Sequence, residues 1–152
     1  MQSIFDRYPY SLYIKLIAQK VREIIDQLLK EHGLNSSQAI LLSHIHQSIE
    51  EHKEINRKFL EKTMALSGPS VTNLLNGLEK SGFITRNSSP ADGRNLRIEV
   101  TDKAKQFLSE RSDAFSKSED LITQGMSDAE KAMFVSLLTR AFENVENQLS
   151  KR

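Results

Sequence analysis

The chain contains no cysteine. That excludes a disulfide framework, a thiolate metal site, a cysteine nucleophile and a thiol redox switch. No apolar stretch approaches the roughly 20 residues that cross a bilayer. The opening residues, Met1-Gln2-Ser3-Ile4-Phe5-Asp6-Arg7, lack the basic segment and apolar run of a secretory signal. A cytoplasmic protein with no membrane partner is the expectation. Catalytic signatures are missing too: no Gly-rich phosphate loop, no His and acid at metalloprotease spacing, no nucleophile elbow. The sequence therefore reads as a non-enzyme without a cofactor. The four histidines are His32, His44, His46 and His52. His44 and His46 are two apart on a helix and point to different faces, so structural or surface roles are read for all four and no metal site is assigned. A zinc site assembled across the fold stays open.

What is present is an ordinary globular composition, with 38% hydrophobic and 27% charged residues in 152, which favours one domain. The formal net charge is +1, but it is unevenly placed. Residues 1–52 hold five Lys/Arg against six Asp/Glu, residues 53–101 eight against five, and residues 102–152 eight against nine. The surplus positive charge lies in the middle third, where Lys80, Arg86, Arg94 and Arg97 face only Asp92 as a nearby acid. A basic centre between mildly acidic ends suggests a polyanion contact, although three charges also suit a solvated face.

The spacing predicts a long helix from about Tyr10 to Glu31. Ile14, Ile17, Val21, Ile24 and Leu28 recur at intervals of three and four, and Leu12, Leu16, Ile25 and Leu29 widen the apolar surface. Such a helix must pack against more than one neighbour. Gly33 ends it with a left-handed residue. Asn35, with Gln38 three residues on, opens a second helix to about Gln47, carrying Leu41, Leu42 and Ile45. A polar link from Ser48 to Glu54 leads to a short helix at Asn56.

Ser67 caps the next helix, with Pro69 tolerated in its first turn. Val71, Leu74, Leu75 and Leu78 form its apolar stripe and Gly82 stops it. Two short helices joined by Ala65-Leu66-Ser67 are the pattern of a helix-turn-helix. The period then changes from helix to strand. Phe83–Arg86 is one strand and Arg94–Val100 another, with Leu96, Ile98 and Val100 on one side. The turn between them ends in Asp92-Gly93, a strong hairpin signal. A two-stranded ribbon straight after a helix-turn-helix is a wing. Thr101 caps a further helix, about Asp102 to Asp120. Ser127 and Glu130 form a capping box before a last helix to about Leu149, striped by Phe134, Leu137, Leu138, Ala141, Phe142, Val145 and Leu149.

This order of elements resembles the MarR (multiple antibiotic resistance regulator) family of winged helix-turn-helix transcription regulators. The resemblance is sharpest in Val71-Thr72-Asn73-Leu74-Leu75-Asn76-Gly77-Leu78-Glu79-Lys80-Ser81-Gly82-Phe83-Ile84, similar to that family's recognition helix and entry to the wing. Asp92-Gly93-Arg94 before Ile98-Glu99-Val100-Thr101 is similar to its wing signature, and Ser127-Asp128-Ala129-Glu130 to the start of its last helix. The chain has Asn73 where the family often has Arg, and Ala104 where a Gly usually follows the wing.

The resemblance implies a mainly α fold: a winged helix-turn-helix with a two-stranded β wing at about 35–101, and dimerisation helices at about 8–33 and 102–152, in one domain over 1–152. It implies a DNA-binding regulator, a ligand-responsive repressor acting as a homodimer on a palindromic operator in double-stranded DNA. A winged-helix module for protein association alone is the alternative. Ser67, Ser70, Thr72, Asn73 and Asn76 are short polar residues on or near the outer face of the reading helix, where Asn can pair with adenine. Solvated helix faces usually prefer long Lys and Glu, and an outward Gly77 adds to the impression of a face that presses on something. Arg94 is expected to enter the minor groove with Asp92 bracing it, or to form a hairpin ion pair. Arg86 and Arg97 would sit along the ribbon and meet phosphates, Lys80 is a further DNA-binding candidate, and Lys53, Arg57 and Lys58 are either contacts or solvated. A small-molecule effector would sit where the terminal helices meet the winged part. Tyr13 and His44 are candidate lining residues there, with packing at a dimer junction as the plainer role.

Overall fold

Helix ends in this protein are written locally, and the computed structural model, which describes residues 3–87 and 97–151, shows where each sits. The elements are α1 (Ile4–Arg7), α2 (Pro9–Glu31), α3 (Ser36–Glu50), α4 (Arg57–Met64), α5 (Gly68–Lys80), β1 (Ile84–Asn87), β2 (Arg97–Val100), α6 (Asp102–Ile122) and α7 (Asp128–Leu149). Gly33 takes φ +67° just beyond α2, a conformation that costs glycine no Cβ clash. At the start of α3 the Asn35 side chain accepts from the Gln38 amide at 2.9 Å, and the Gln38 side chain accepts from the Asn35 amide at 3.0 Å. Two otherwise orphaned donors are thereby satisfied. Asn56 caps α4 through the Phe59 amide at 2.8 Å, and Ser127 with Glu130 closes the same box at α7.

Several boundaries differ from the sequence expectation. The short helix α1 precedes α2, made by a Ser3–Asp6 capping box. Helix α3 runs three residues past Gln47 because Ser48 turns inward and is buried. Ser67 is the N-cap of α5 by position, but its hydroxyl meets the Ser70 hydroxyl at 2.9 Å instead of a backbone amide.

The chain forms two compact units, Met1–Phe115 and Ser116–Arg152, with α6 crossing from the first to the second. In the first, α5 packs on α3, α4 and β1, and α3 also meets β2. Leu41, Leu42, Ile45, Leu60, Val71, Leu78, Phe83 and Phe107 are wholly buried there. Phe83 and Phe107 meet edge to face, centroids 5.9 Å apart, a favoured aromatic geometry. Leu74, expected in the core, is only half-buried. The strands pair antiparallel with Ile84 opposite Val100, Thr85 opposite Glu99, Arg86 opposite Ile98 and Asn87 opposite Arg97. Leu96, read as part of the second strand's apolar face, lies outside the described residues.

The second unit is the end of α6, a turn with Gly125 at φ +82°, and α7. No residue of α7 is buried. Among the described residues, no helix is long and apolar enough to cross a membrane.

Candidate nucleic-acid interface

The turn between α4 and α5 is made by Ala65, whose φ of +51° ends α4 in a left-handed residue without the help of a glycine. From there α5 buries Val71, Leu75 and Leu78 against the core. The opposite side is left outward: Ser67, Asn73, Asn76 and Lys80 are exposed, and Ser70 and Thr72 are half-buried at its edge. All six predicted residues on this helix therefore lie on or beside one accessible face. Gly77 is half-buried like Ser70 and Thr72, and a Cβ there would stand 2.6 Å from Nε2 of the Gln38 side chain, which would have to turn aside.

Gly82, at φ +77°, turns the chain out of α5, and the Phe83 amide bonds back to the Leu78 carbonyl at 2.9 Å. Thr101 closes the base of the strand pair. Its hydroxyl donates to the Gly82 carbonyl at 2.7 Å and its amide to the Phe83 carbonyl at 3.1 Å. Lys103 donates to the Ser81 carbonyl at 2.8 Å, at the C-terminal end of α5 where a cation is favoured.

The two arginines on the strands have different surroundings. Arg86 stands two residues after buried Ile84 and opposite buried Ile98, on the inner side of the pair. Its Nε donates to Glu79 at 3.1 Å and its Nη2 to Asn76 Oδ1 at 2.7 Å, while its backbone amide donates to Glu79 at 3.2 Å. The guanidinium holds the Glu79 carboxyl below its usual value, chiefly through this hydrogen bond. The sequence alone places only Asp92 near Arg86, whereas the acid the structure brings to it is Glu79 of α5. Alternation along the strand signals that a cation on the inner side needs a partner, but not which one. Arg97 is exposed on the outer side. Asp92 and Arg94 lie outside the described residues.

Helix α4 begins with Arg57 and Lys58 and has no acid in its first turn, against the preference of a helix N-terminus for negative charge. Lys53 is paired with Glu51. His32 is not a free surface group: its Nε2 lies 2.6 Å from Glu110 Oε2, and its ring meets Phe107 edge-on. No group of three or more His, Asp or Glu suited to a metal occurs among the described residues.

A separate open cleft of about 850 Å³ lies between α3 and the first part of α6. Arg111 lines it, donating to Ser43 Oγ at 2.8 Å and lying over the Phe115 ring at 5.1 Å. Its Nε is buried without a partner, and burial lowers the guanidinium pKa. Tyr13 and His44 are not among the residues lining this cleft. Tyr13 is exposed beside Phe5, ring centroids 5.4 Å apart.

The match to known proteins decides the family. A sequence model of the MarR family fits residues 32–95. A protein from Clostridium acetobutylicum assigned to the MarR family of transcriptional regulators is 31% identical. The match covers 90% of this chain and 98% of that one, with a TM-score of 0.74. The chain belongs to the MarR family. Its fold is the family's winged helix-turn-helix, in which α4 and α5 are the two helices and β1 and β2 the wing. The fold is shared at lower identity by MepR of Staphylococcus aureus, solved as a complex with DNA (21% identity, 90% of this chain and 99% of that one, TM-score 0.77). It is shared likewise by MepR bound to ethidium bromide (20%, 90% and 96%, 0.71).

Proposed function

We propose that this MarR-family chain is a DNA-binding transcriptional regulator, a repressor that reads a palindromic operator as a homodimer and is released by a small molecule. The observation that carries this is the outward face of α5, where Asn73, Asn76 and Lys80 stand exposed beside Ser67, Ser70 and Thr72, next to a wing whose outer side offers Arg97. Short hydrogen-bonding side chains on a helix can reach base edges in the major groove, and the flanking cations suit phosphates. Arg57 and Lys58, placed against the dipole of α4, fit the same polyanion. Arg94, with Asp92 two residues before it, would carry the wing tip to the minor groove.

The dimer follows from apolar exposure. Along α7, Met133, Val135, Leu137, Leu138, Phe142, Val145 and Leu149 are all exposed, as are Ile14, Ile17 and Ile24 of α2. A monomeric protein rarely leaves this many large apolar side chains to water along one helix. Residues 8–33 and 102–152 therefore serve as dimerisation helices around a 35–101 winged region, the whole acting as one MarR-like domain. A two-fold pair sets two α5 helices about one DNA turn apart, roughly 34–36 Å. The effector is assigned to the cleft at Arg111. By linkage, a ligand that weakens DNA binding must bind more tightly to the DNA-incompetent form.

Selection of bound sequences from random duplex DNA tests the proposal. A palindrome with half-sites one turn apart is the expected product. Recovery of no motif at low salt would leave the chain as a protein-association module.

A further inference from the structure

Resting on the reading of α5 as the recognition helix, we infer that Glu79 is a positioning residue: through Arg86 it fixes the Asn76 amide with its NH2 group outward. Asn76 then selects a base edge that presents an acceptor and rejects the donor of the cytosine amino group. Arginine has five donors and no acceptor. The Asn76 atom 2.7 Å from Arg86 Nη2 must therefore be the oxygen, and the chemistry of the partner settles which way the amide is turned. Asn76 is exposed, whereas Arg86 lies on the inner side of the wing. The amide oxygen thus faces the protein and the nitrogen is the group left for a ligand.

Arg86 is itself held at three points: the Glu79 carboxylate takes its Nε, its Nη2 and its own backbone amide. A side chain bonded through both its guanidinium and its backbone cannot swing away to release Asn76. In the major groove, guanine (N7, O6), thymine (O4) and adenine (N7, beside its N6 donor) each offer an acceptor, whereas cytosine offers only the N4 donor. A fixed outward donor accepts the first three and is repelled by the fourth. Glu79 itself need touch no DNA.

Selection from random duplexes with the wild type, Asn76→Asp, Glu79→Gln and the double variant tests this. The wild type should exclude cytosine about tenfold at one symmetric pair of positions. Asn76→Asp turns an oxygen outward and should favour cytosine there. Glu79→Gln, which keeps the side-chain shape, should flatten preference at that pair alone and leave the rest of the motif intact. In the double variant the carboxylate introduced by Asn76→Asp holds Arg86 directly, so the cytosine preference should persist. An Asn76→Asp motif identical to the wild type, or a Glu79→Gln motif blurred equally at every position, overturns the inference while leaving the DNA-binding reading in place. Failure of the wild type to select any motif removes that reading, and the inference with it.

Discussion

Helices α5 and α7 carry the same kind of apolar stripe, and the two end differently. On α5, Val71, Leu75 and Leu78 are at most 2% exposed. On α7, Leu137, Leu138, Phe142 and Val145 are 40 to 67% exposed. Periodicity states that a face wants covering, not what covers it. The winged region contains its own cover, in α3, α4 and the strand pair. Helix α7 does not, and on our account a second copy supplies it. On that account the comparison separates what the chain folds alone from what a second copy would complete.

The largest effect should come from breaking the self-contained side. Phe107→Ala removes a wholly buried ring that contacts both Phe83 and His32. It should cost about 3–5 kcal/mol in denaturant unfolding. The open side should respond through association. Leu138→Asp with Phe142→Asp puts two charges on the stripe, so sedimentation should show a folded monomer. Operator affinity should fall at least about 100-fold, which is about 2.7 kcal/mol. A variant that remains dimeric would mean that other surfaces hold the pair.

A finer contrast lies within the wing. Replacing exposed Arg97 by Ala should lower the salt dependence of DNA binding by about 0.9 in log–log slope, as one phosphate contact is lost. Arg86→Ala should change the slope much less, because Glu79 already neutralises that guanidinium. Equal slopes for the two would erase the distinction between inner and outer strand faces.

The smallest expected effect is one of pH. The Glu110 carboxyl is held below its ordinary value of 4.5, first by the Gln106 side chain and then by His32. A depressed carboxylate contributes stability above its unfolded pKa and loses it as pH falls through the folded value. Thermal melts of Glu110→Gln should therefore decline less steeply than wild type below about pH 4.5. Parallel acid limbs would show that the interactions of Glu110 with Gln106 and His32 contribute nothing to acid stability.

Much of this was legible locally. Gly33, the Asn35–Gln38 box, Asn56, Gly82 and the Ser127–Glu130 box each act within a few residues, so the sequence displays them directly. The two strands could also be read, but not their register, nor the inward turn of Arg86, which was expected at phosphates. The acid Arg86 meets could not be read either, because Glu79 reaches it only once Gly82 folds the wing back along α5. His32 and Glu110, 78 positions apart, are joined by packing that no local pattern records.

The account turns on two α5 helices held in two-fold register by surfaces that one chain leaves uncovered. The direct test is to measure affinity for the selected palindrome and for the same palindrome with about five base pairs, half a turn, inserted between its half-sites. The account predicts that the insertion lowers affinity toward that of a single half-site, because the second helix then faces the wrong side of the duplex. Equal affinity for the two duplexes would contradict it.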